Sequence, residues 1–184
     1  MLDWNAKYTI GAYASSKNPS RLLIELFPLL PRGRALDIAC GEGRNAIFLA
    51  KNGYNVDAID ISDIAIERGK KTAEKDGIKT NFIQADIENY QIPAETYDLI
   101  VNFNYLQRTL IPAIKNGLKK NGVVLFETFT LEQQAIWPPK NPEFLLKPNE
   151  LLKLFGDLHI FYYREGIFEE ERRKAVASLA GGKI

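Results

Sequence analysis

An α/β domain with a largely parallel sheet is the fold the sequence predicts, on three observations. Short apolar runs alternate with stretches of helical period through most of the chain. Gly, Asn and Pro punctuate those exchanges where helices should begin or end. A glycine turn, Cys40-Gly41-Glu42-Gly43, sits where an apolar strand hands over to a helix.

The elements follow in order. Asn18-Pro19 opens a helix with Leu22, Leu23, Leu26 and Phe27 on it, and the stretch from Pro28 to Pro31 closes it. Residues 35–39 read as a buried first strand. After the glycine turn comes a short helix with Ile47, Phe48 and Leu49, stopped by Asn52-Gly53. Residues 56–60 are the second strand. Ser62 is placed to cap a helix bearing Ile64, Ala65, Ile66 and Ala73, which Gly77 ends. Residues 81–84 and 97–102 are the third and fourth strands. A helix over roughly 106–118 leads through Asn121-Gly122 into a fifth strand at 123–126. The run Trp137-Pro138-Pro139-Lys140-Asn141-Pro142 suits neither a helix nor a central strand. Pro148 opens a further helix with Leu151, Leu152, Leu154 and Phe155. Residues 158–163 and 173–179 are the last strands, and the short link with Glu169, Glu170 and Glu171 favours an antiparallel hairpin.

The 184 residues are taken as one domain over 1–184. It comprises an N-terminal lid and helix (1–33), a ligand-binding core (34–130), and an outer wall with the hairpin (131–184). Lys and Arg total 24 against 23 Asp and Glu, so the chain lacks the basic excess of a nucleic-acid binder. A single cysteine, Cys40, allows no intrachain disulfide and suits a reducing compartment. No stretch approaches the ~20 apolar residues that span a bilayer, and the first residues lack the apolar core of a signal peptide. The expectation is a cytoplasmic protein, monomer or homodimer, with neither nucleic acid nor membrane as partner.

Glycine lets the chain turn sharply and lets backbone approach a ligand with no Cβ between. Gly41-x-Gly43-x-x-Ala46 satisfies the fingerprint G-x-G-x-x-A, which alone is a weak signal. Three acids decide which ligand it serves. Asp37 interrupts the first apolar strand, four positions before Gly41; a carboxylate there repels a pyrophosphate and suits an ammonium and a sulfonium. Asp60 ends the second strand, 17 residues beyond Gly43, where two carboxylate oxygens match the vicinal diol of a ribose. Asp86 follows the third strand, where an acid can receive an adenine amino group while Ile87 covers a ring face. Any one of them alone could be a turn or cap residue. The three in this order describe a cationic adenosine ligand.

The segment Ala35-Leu36-Asp37-Ile38-Ala39-Cys40-Gly41-Glu42-Gly43-Arg44-Asn45 resembles the first motif of class I S-adenosylmethionine-dependent methyltransferases. Its continuation to Ala58-Ile59-Asp60-Ile61-Ser62 is similar to the small bacterial branch related to tellurite-resistance methyltransferases. The resemblance implies a Rossmann-like three-layer sandwich whose seven-stranded sheet has the order 3-2-1-4-5-7-6, with strand 7 antiparallel. It also implies S-adenosyl-L-methionine as cofactor. The cofactor-binding set is then Asp37, Ala39, Cys40, Gly41, Gly43, Asn45, Asp60, Ile61, Asp86, Ile87 and Asn102.

Methyl transfer from a sulfonium is an in-line displacement, in which a protein mainly aligns the reactants and excludes water. A hydroxyl acceptor would need a general base; a thiolate or a metalloid oxyanion would not. The loop Asn102-Phe103-Asn104-Tyr105-Leu106-Gln107-Arg108 should face the methyl group, and it holds neither carboxylate nor histidine. It also lacks the Asp/Asn-Pro-Pro-aromatic motif of methyltransferases acting on adenine. Tyr105 and Arg108 are the catalytic candidates, against their plainer readings as a packed ring and a solvated charge. The expected acceptor is a small molecule: a thiol, a metalloid oxyanion or another small metabolite.

His159, between Leu158 and Ile160, reads as a partly exposed structural histidine, and Cys40 as a small buried hydrophobe. Nothing has metal-site spacing. Tyr8, Tyr13, Ser15 and Ser16 form an N-terminal segment placed to cover the cofactor, and Trp137 with its prolines a wall for the acceptor. Two other readings compete. A nicotinamide-dependent oxidoreductase explains Gly41, Gly43, Ala46 and Asp60 but not Asp37, Asp86 or the hairpin. A non-catalytic methyltransferase-like module would keep the fold and bind a partner protein.

Overall fold

The structure, a computed structural model, describes residues 4–10, 16–169 and 172–184. Its helices are α1 (Trp4–Thr9), α2 (Arg21–Leu26), α3 (Arg44–Lys51), α4 (Asp63–Lys75), α5 (Ile111–Gly117) and α6 (Glu150–Leu154). Its strands are β1 (Arg34–Ile38), β2 (Asn55–Asp60), β3 (Asn81–Gln84), β4 (Tyr97–Phe103), β5 (Leu118–Phe129), β6 (His159–Glu169) and β7 (Arg173–Gly182). They form one sheet in the order β3-β2-β1-β4-β5-β7-β6. The first five strands run parallel, and β7 is antiparallel to both β5 and β6. This is the order the resemblance implied.

Alternation along the strands explains the two packed layers. Leu36 and Ile38 of β1 point into one cluster with Ile100, Val124, Phe126, Ile114 and Phe155. Ala35 points the other way, into a cluster with Val101, Leu125, Leu23, Leu49 and Ile66. Asp37 shares the face of Ala35, beneath the start of α3. Among the described residues, no helix is long and apolar enough to cross a membrane.

Three elements differ from the sequence reading. The N-terminal segment contains a helix, α1, whose six residues show no periodic apolar face. Tertiary contacts hold it: Tyr8 is buried, Ser62 Oγ donates to Asn5 Oδ1, and Arg68 donates to the Tyr8 carbonyl. The expected helix over 106–118 is split into a 3₁₀ turn (Arg108–Leu110) and α5. It ends at Gly117, where an added Cβ would lie 2.6 Å from Ile92, and Leu118 already pairs with Tyr97. The fifth strand and the hairpin are longer than expected, because the β6–β7 ladder continues to the Glu169–Arg173 pair. The link residues Glu170 and Glu171 lie outside the described residues.

At the amino end of the sheet, one buried carboxylate ties four strands together. Asp57 accepts from Arg34 Nε (3.0 Å) and Nη2 (2.8 Å), Asn81 Nδ2 (2.7 Å) and Tyr97 Oη (3.0 Å). Burial and the Asp57 charge together push the Tyr97 hydroxyl well above its usual range. Removing the carboxylate would strand the buried Tyr97 and Asn81 donors. Asp57→Ala is expected to cost about 2–4 kcal/mol of unfolding free energy. Urea unfolding should show a lowered midpoint with an unchanged slope.

Candidate functional site

The carboxyl edge of the sheet is shaped by the turn that follows β1. Ala39 (φ 52°), Gly41 (φ 57°) and Gly43 (φ 77°) all adopt left-handed backbone, so the chain reverses tightly into α3. The Cys40 N–H donates to the Ile59 carbonyl at 2.9 Å, and the Gly43 N–H to the Cys40 carbonyl at 3.0 Å. Asp60, the last residue of β2, locks this turn. Its Oδ2 accepts from the Gly41 N–H at 2.8 Å and its Oδ1 from the Ser62 N–H at 2.9 Å. Ser62 in turn caps α4, its Oγ accepting from the Ala65 N–H at 3.2 Å.

Asp37 lies on the strand beside this turn, with 1% of its surface exposed. It accepts from the Ala46 N–H in the first turn of α3, but its Oδ2 has no partner among the described residues. Burial pushes its carboxyl up to about 7; the Ala46 N–H and the Arg44 charge pull it back, and the Asp60 charge pushes it further. Burial raises Asp60 as well, against the opposing N–H groups of Ser62, Gly41 and Ile61. On the adjoining strand β4, fully buried Asn102 donates from Nδ2 to the Tyr105 carbonyl at 2.8 Å, and its Oδ1 is also without a partner. Ile38 and Asn102 are in register, so both bare oxygens stand at one edge. Two buried carboxyls, one with a bare oxygen, at a low-dielectric edge form a site for a cation with N–H donors, and Asn102 offers its bare oxygen from the opposite face of β4.

The remaining sequence-predicted residues divide. Ile61 and Ile87 follow β2 and β3 at the same edge, with Ile87 buried in the core. Asp86 is there too, but its oxygens serve a turn, accepting from the Glu88 N–H (3.0 Å) and Asn89 Nδ2 (2.8 Å). Asn45 is buried in the first turn of α3, its Oδ1 accepting from the Ser20 N–H at 2.8 Å. An added Cβ at Gly43 would lie 2.5 Å from the Phe82 ring, so that glycine clears space for core packing rather than for a ligand. At Gly41 it would lie 2.7 Å from the Tyr8 hydroxyl. Burial pushes the Cys40 thiol well up, which fits an inert side chain.

The two catalytic candidates separate clearly. Tyr105 is half-buried above the acids. Burial, then the charges of Glu88, Asp86 and Asp60, hold its hydroxyl proton on far above neutrality, so it is no base at pH 7. Arg108 is neither a solvated charge nor a group aimed at the mouth. It pairs bidentately with Glu150 (Nε–Oε1 2.6 Å, Nη2–Oε2 3.0 Å) and donates to the carbonyls of Glu143 and Leu145. Arg108 thereby holds Glu150 below the usual carboxylate range and clamps the segment before α6. His159 is exposed, as read from the sequence. Trp137 packs edge-to-face on Phe129 at 5.5 Å. Among the described residues, no cluster of His, Cys, Asp or Glu could hold a metal.

Sequence reasoning missed two features of this edge. The first is the depth of the N-terminal cover: α1 brings the buried Tyr8 over Gly41, and Arg68 joins it to Glu42 of the turn at 3.0 Å. Tyr13 and Ser15, expected to share that role, lie outside the described residues. The second is Glu127, which stands in register with Phe103 at the end of β4. Its signal was a charged residue directly after the apolar run 123–126, the same signal that exposed Asp37.

Residues 35–122 match the methyltransferase domain family. The chain is 29% identical to a protein named ubiquinone biosynthesis O-methyltransferase from Rickettsia felis, over 68% of this chain and 59% of that one. It is 28% identical to a probable S-adenosyl-L-methionine-dependent methyltransferase TehB from Haemophilus influenzae, over 74% of this chain and 49% of the other. The chain therefore spans about half to three-fifths of the length of these relatives. Its fold superposes on the crystal structure of Haemophilus influenzae TehB with a TM-score of 0.78 at 22% identity, covering 97% of this chain and 66% of that one. It matches an Aquifex aeolicus S-adenosylmethionine-dependent methyltransferase along 100% of both chains, with a TM-score of 0.72 at 17% identity.

A buried carboxyl raised from 3.8 to about 7 makes the ligand-free fold pH-dependent. The folded state binds the proton more tightly than the unfolded one. Its stabilising effect is complete below pH ~4 and is lost as pH rises through ~7. Asp37→Asn should therefore unfold at a higher temperature than the parent protein above pH 7, by roughly several °C. The gap should close as pH falls towards 4, which thermal unfolding across that range measures.

Proposed function

From a chain that carries a methyltransferase domain on the fold of the class I S-adenosylmethionine-dependent methyltransferases, and that resembles their TehB branch, we propose an enzyme that methylates a small molecule. The donor is S-adenosyl-L-methionine, and the acceptor is a thiol, a metalloid oxyanion or another small metabolite. The observation that carries the proposal is the bare Oδ2 of buried Asp37 beside the raised carboxyl of Asp60. An ammonium and a sulfonium satisfy such an edge, whereas a pyrophosphate adds a third negative charge to it.

The residues fit this donor. Asp37 receives the ammonium, with the Asn102 Oδ1 as a second acceptor on β4. Asp60 keeps lone pairs for the ribose hydroxyls while it holds the Gly41 and Ser62 N–H groups. Ala39, Cys40 and Gly41 supply the backbone wall, and Ile61 and Ile87 flank the adenine, with Asp86 at its rim. When bound, the donor supplies an electrophilic methyl group, so the protein's task is alignment and the exclusion of water. Tyr105 closes the mouth above the acids, and its retained proton suits a packing and hydrogen-bonding role rather than proton abstraction. Tyr8 and α1 cover the other side. A cytoplasmic setting, with no nucleic acid or membrane as partner and a monomer or homodimer as the working unit, completes the reading.

A ligand that binds only the folded state raises its stability by about 2.7 kcal/mol at a hundredfold excess over Kd. S-adenosylhomocysteine should raise the thermal midpoint of the protein, and Asp37→Ala should abolish that rise. NAD(H) should leave the midpoint unchanged; a shift with NAD(H) alone would establish the oxidoreductase reading instead. Production of S-adenosylhomocysteine from a panel of thiols, metalloid oxyanions, phenols and amines then identifies the acceptor. Ligand binding without turnover on any of them would favour the non-catalytic module.

A further inference from the structure

A row of bare buried oxygens leads from the end of β4 along β5. Asn102 of β4 is in register with Phe126 of β5, and alternation puts Thr128 and Thr130 on that same face. Thr128 is 1% exposed and Thr130 is fully buried, yet neither hydroxyl has a hydrogen-bond partner among the described residues. The Asn102 Oδ1 is bare as well. Thr130 stands at the N-cap of the 3₁₀ turn Leu131–Ala135, where a threonine ordinarily caps, but its side chain makes no cap bond. A buried hydroxyl without a partner weakens the ligand-free fold, and a valine would fill the same space without that cost.

Thr128 also lies where β5 changes its neighbour. Before it, the Asn104 N–H donates to the Glu127 carbonyl at 2.9 Å; after it, the Leu146 N–H donates to the Phe129 carbonyl at 2.9 Å. The chain therefore leaves β5 at the end of β4 and a second segment takes its place. Arg108 ties the two together, donating to the Glu143 and Leu145 carbonyls and pairing with Glu150. Thr128 lies one strand across from Asn102 and two residues further along, about 8 Å away. Phe126, Leu146 and Ala177 make its surroundings apolar. The charged groups nearby are already engaged. Glu150 neutralises Arg108, and Glu165, in line with Ala177 on β6, accepts from the Asn149 N–H and the Tyr163 hydroxyl. Neither offers a counter-ion to an anionic acceptor. A threonine hydroxyl both donates and accepts, so its complement is a ligand hydroxyl, which does the same.

We propose that Thr128 and Thr130 recognise the methyl acceptor and that they select an uncharged thiol bearing hydroxyl groups over an anion. The inference rests on the methyltransferase reading above. A thiol needs no general base, and the loop after β4 holds neither carboxylate nor histidine to act as one. Once the thiol proton has passed to solvent, the thiolate sulfur bonds to the methyl carbon as the methyl–sulfonium bond breaks. The electron pair of that bond stays on the donor sulfur. The sulfonium is the counter-ion of the thiolate, while the two threonine hydroxyls hold the uncharged remainder of the acceptor.

The test is a ligand-observed NMR titration of thioglycerol, propanethiol and mercaptopropionate into the protein saturated with S-adenosylhomocysteine. Thioglycerol should bind about tenfold more tightly than either of the others, since propanethiol lacks the hydroxyls and mercaptopropionate brings a charge. The double variant Thr128→Val, Thr130→Val should lose the preference over propanethiol and Thr128→Ser should keep it. The affinity for S-adenosylhomocysteine, the control for folding, stays the same in both variants. Thr128→Val should also raise the thermal midpoint of the ligand-free protein by roughly a few °C, because it removes a bare buried hydroxyl. Equal binding of thioglycerol and propanethiol, tighter binding of mercaptopropionate, binding of none of the three, a preference that survives the double variant, or a lowered midpoint would overturn the inference while leaving the methyltransferase reading intact. Failure of S-adenosylhomocysteine to bind the parent protein would remove that reading, and the inference with it.

Discussion

Two carboxylates brought close together at the ends of neighbouring parallel strands set the character of this molecule's carboxyl edge. Asp37 and Asp60 repel one another, both are buried, and both are raised above the ordinary carboxylate range. Asp57 shows that the fold can satisfy a buried acid completely: at the opposite end of the same sheet it gathers donors from Arg34, Asn81 and Tyr97. Asp37 receives no such treatment, and one of its oxygens is bare. A residue that weakens the ligand-free fold is held where only a cationic ligand offsets its cost.

The surrounding contacts join that edge to its cover. Asp60 holds the Gly41 N–H with one oxygen and the Ser62 N–H with the other. Ser62 Oγ reaches Asn5 of α1, and Arg68 links the Tyr8 carbonyl with Glu42 of the turn. The turn, the start of α4 and the N-terminal helix are thus one hydrogen-bonded unit, and a ligand touching Asp60 meets all three. On the far side, Arg108 and Glu150 clamp the segment that leads into α6, so the wall beyond β5 is held in place by a structural ion pair.

Much of this was legible in the sequence because parallel strands buried on both faces leave few places for charge. Asp37 and Asp60 stand out against apolar neighbours, and the Asn-Gly and Ser signals place α3 and α4 closely. The misread parts are those decided by tertiary contact. Helix α1 has no pattern of its own and exists through Tyr8 and Asn5. Gly43 looks like a ligand-clearing glycine, but its space belongs to Phe82, far along the chain. Arg108 gave no local hint of Glu150, its partner 42 residues away. Glu127 announces itself by directly following the apolar run 123–126, but its alignment with Phe103 and Ser178 is set by strand pairing that no linear spacing reveals.

Ligand binding at this edge requires Asp37 to ionise and receive a cation. Titration of S-adenosylhomocysteine into the protein at pH 7, in buffers of different ionisation enthalpy, counts the protons exchanged on binding. A carboxyl balanced near 7 that must become a carboxylate predicts release of about half a proton, falling away as pH rises. A binding enthalpy independent of the buffer, or proton uptake, would contradict it.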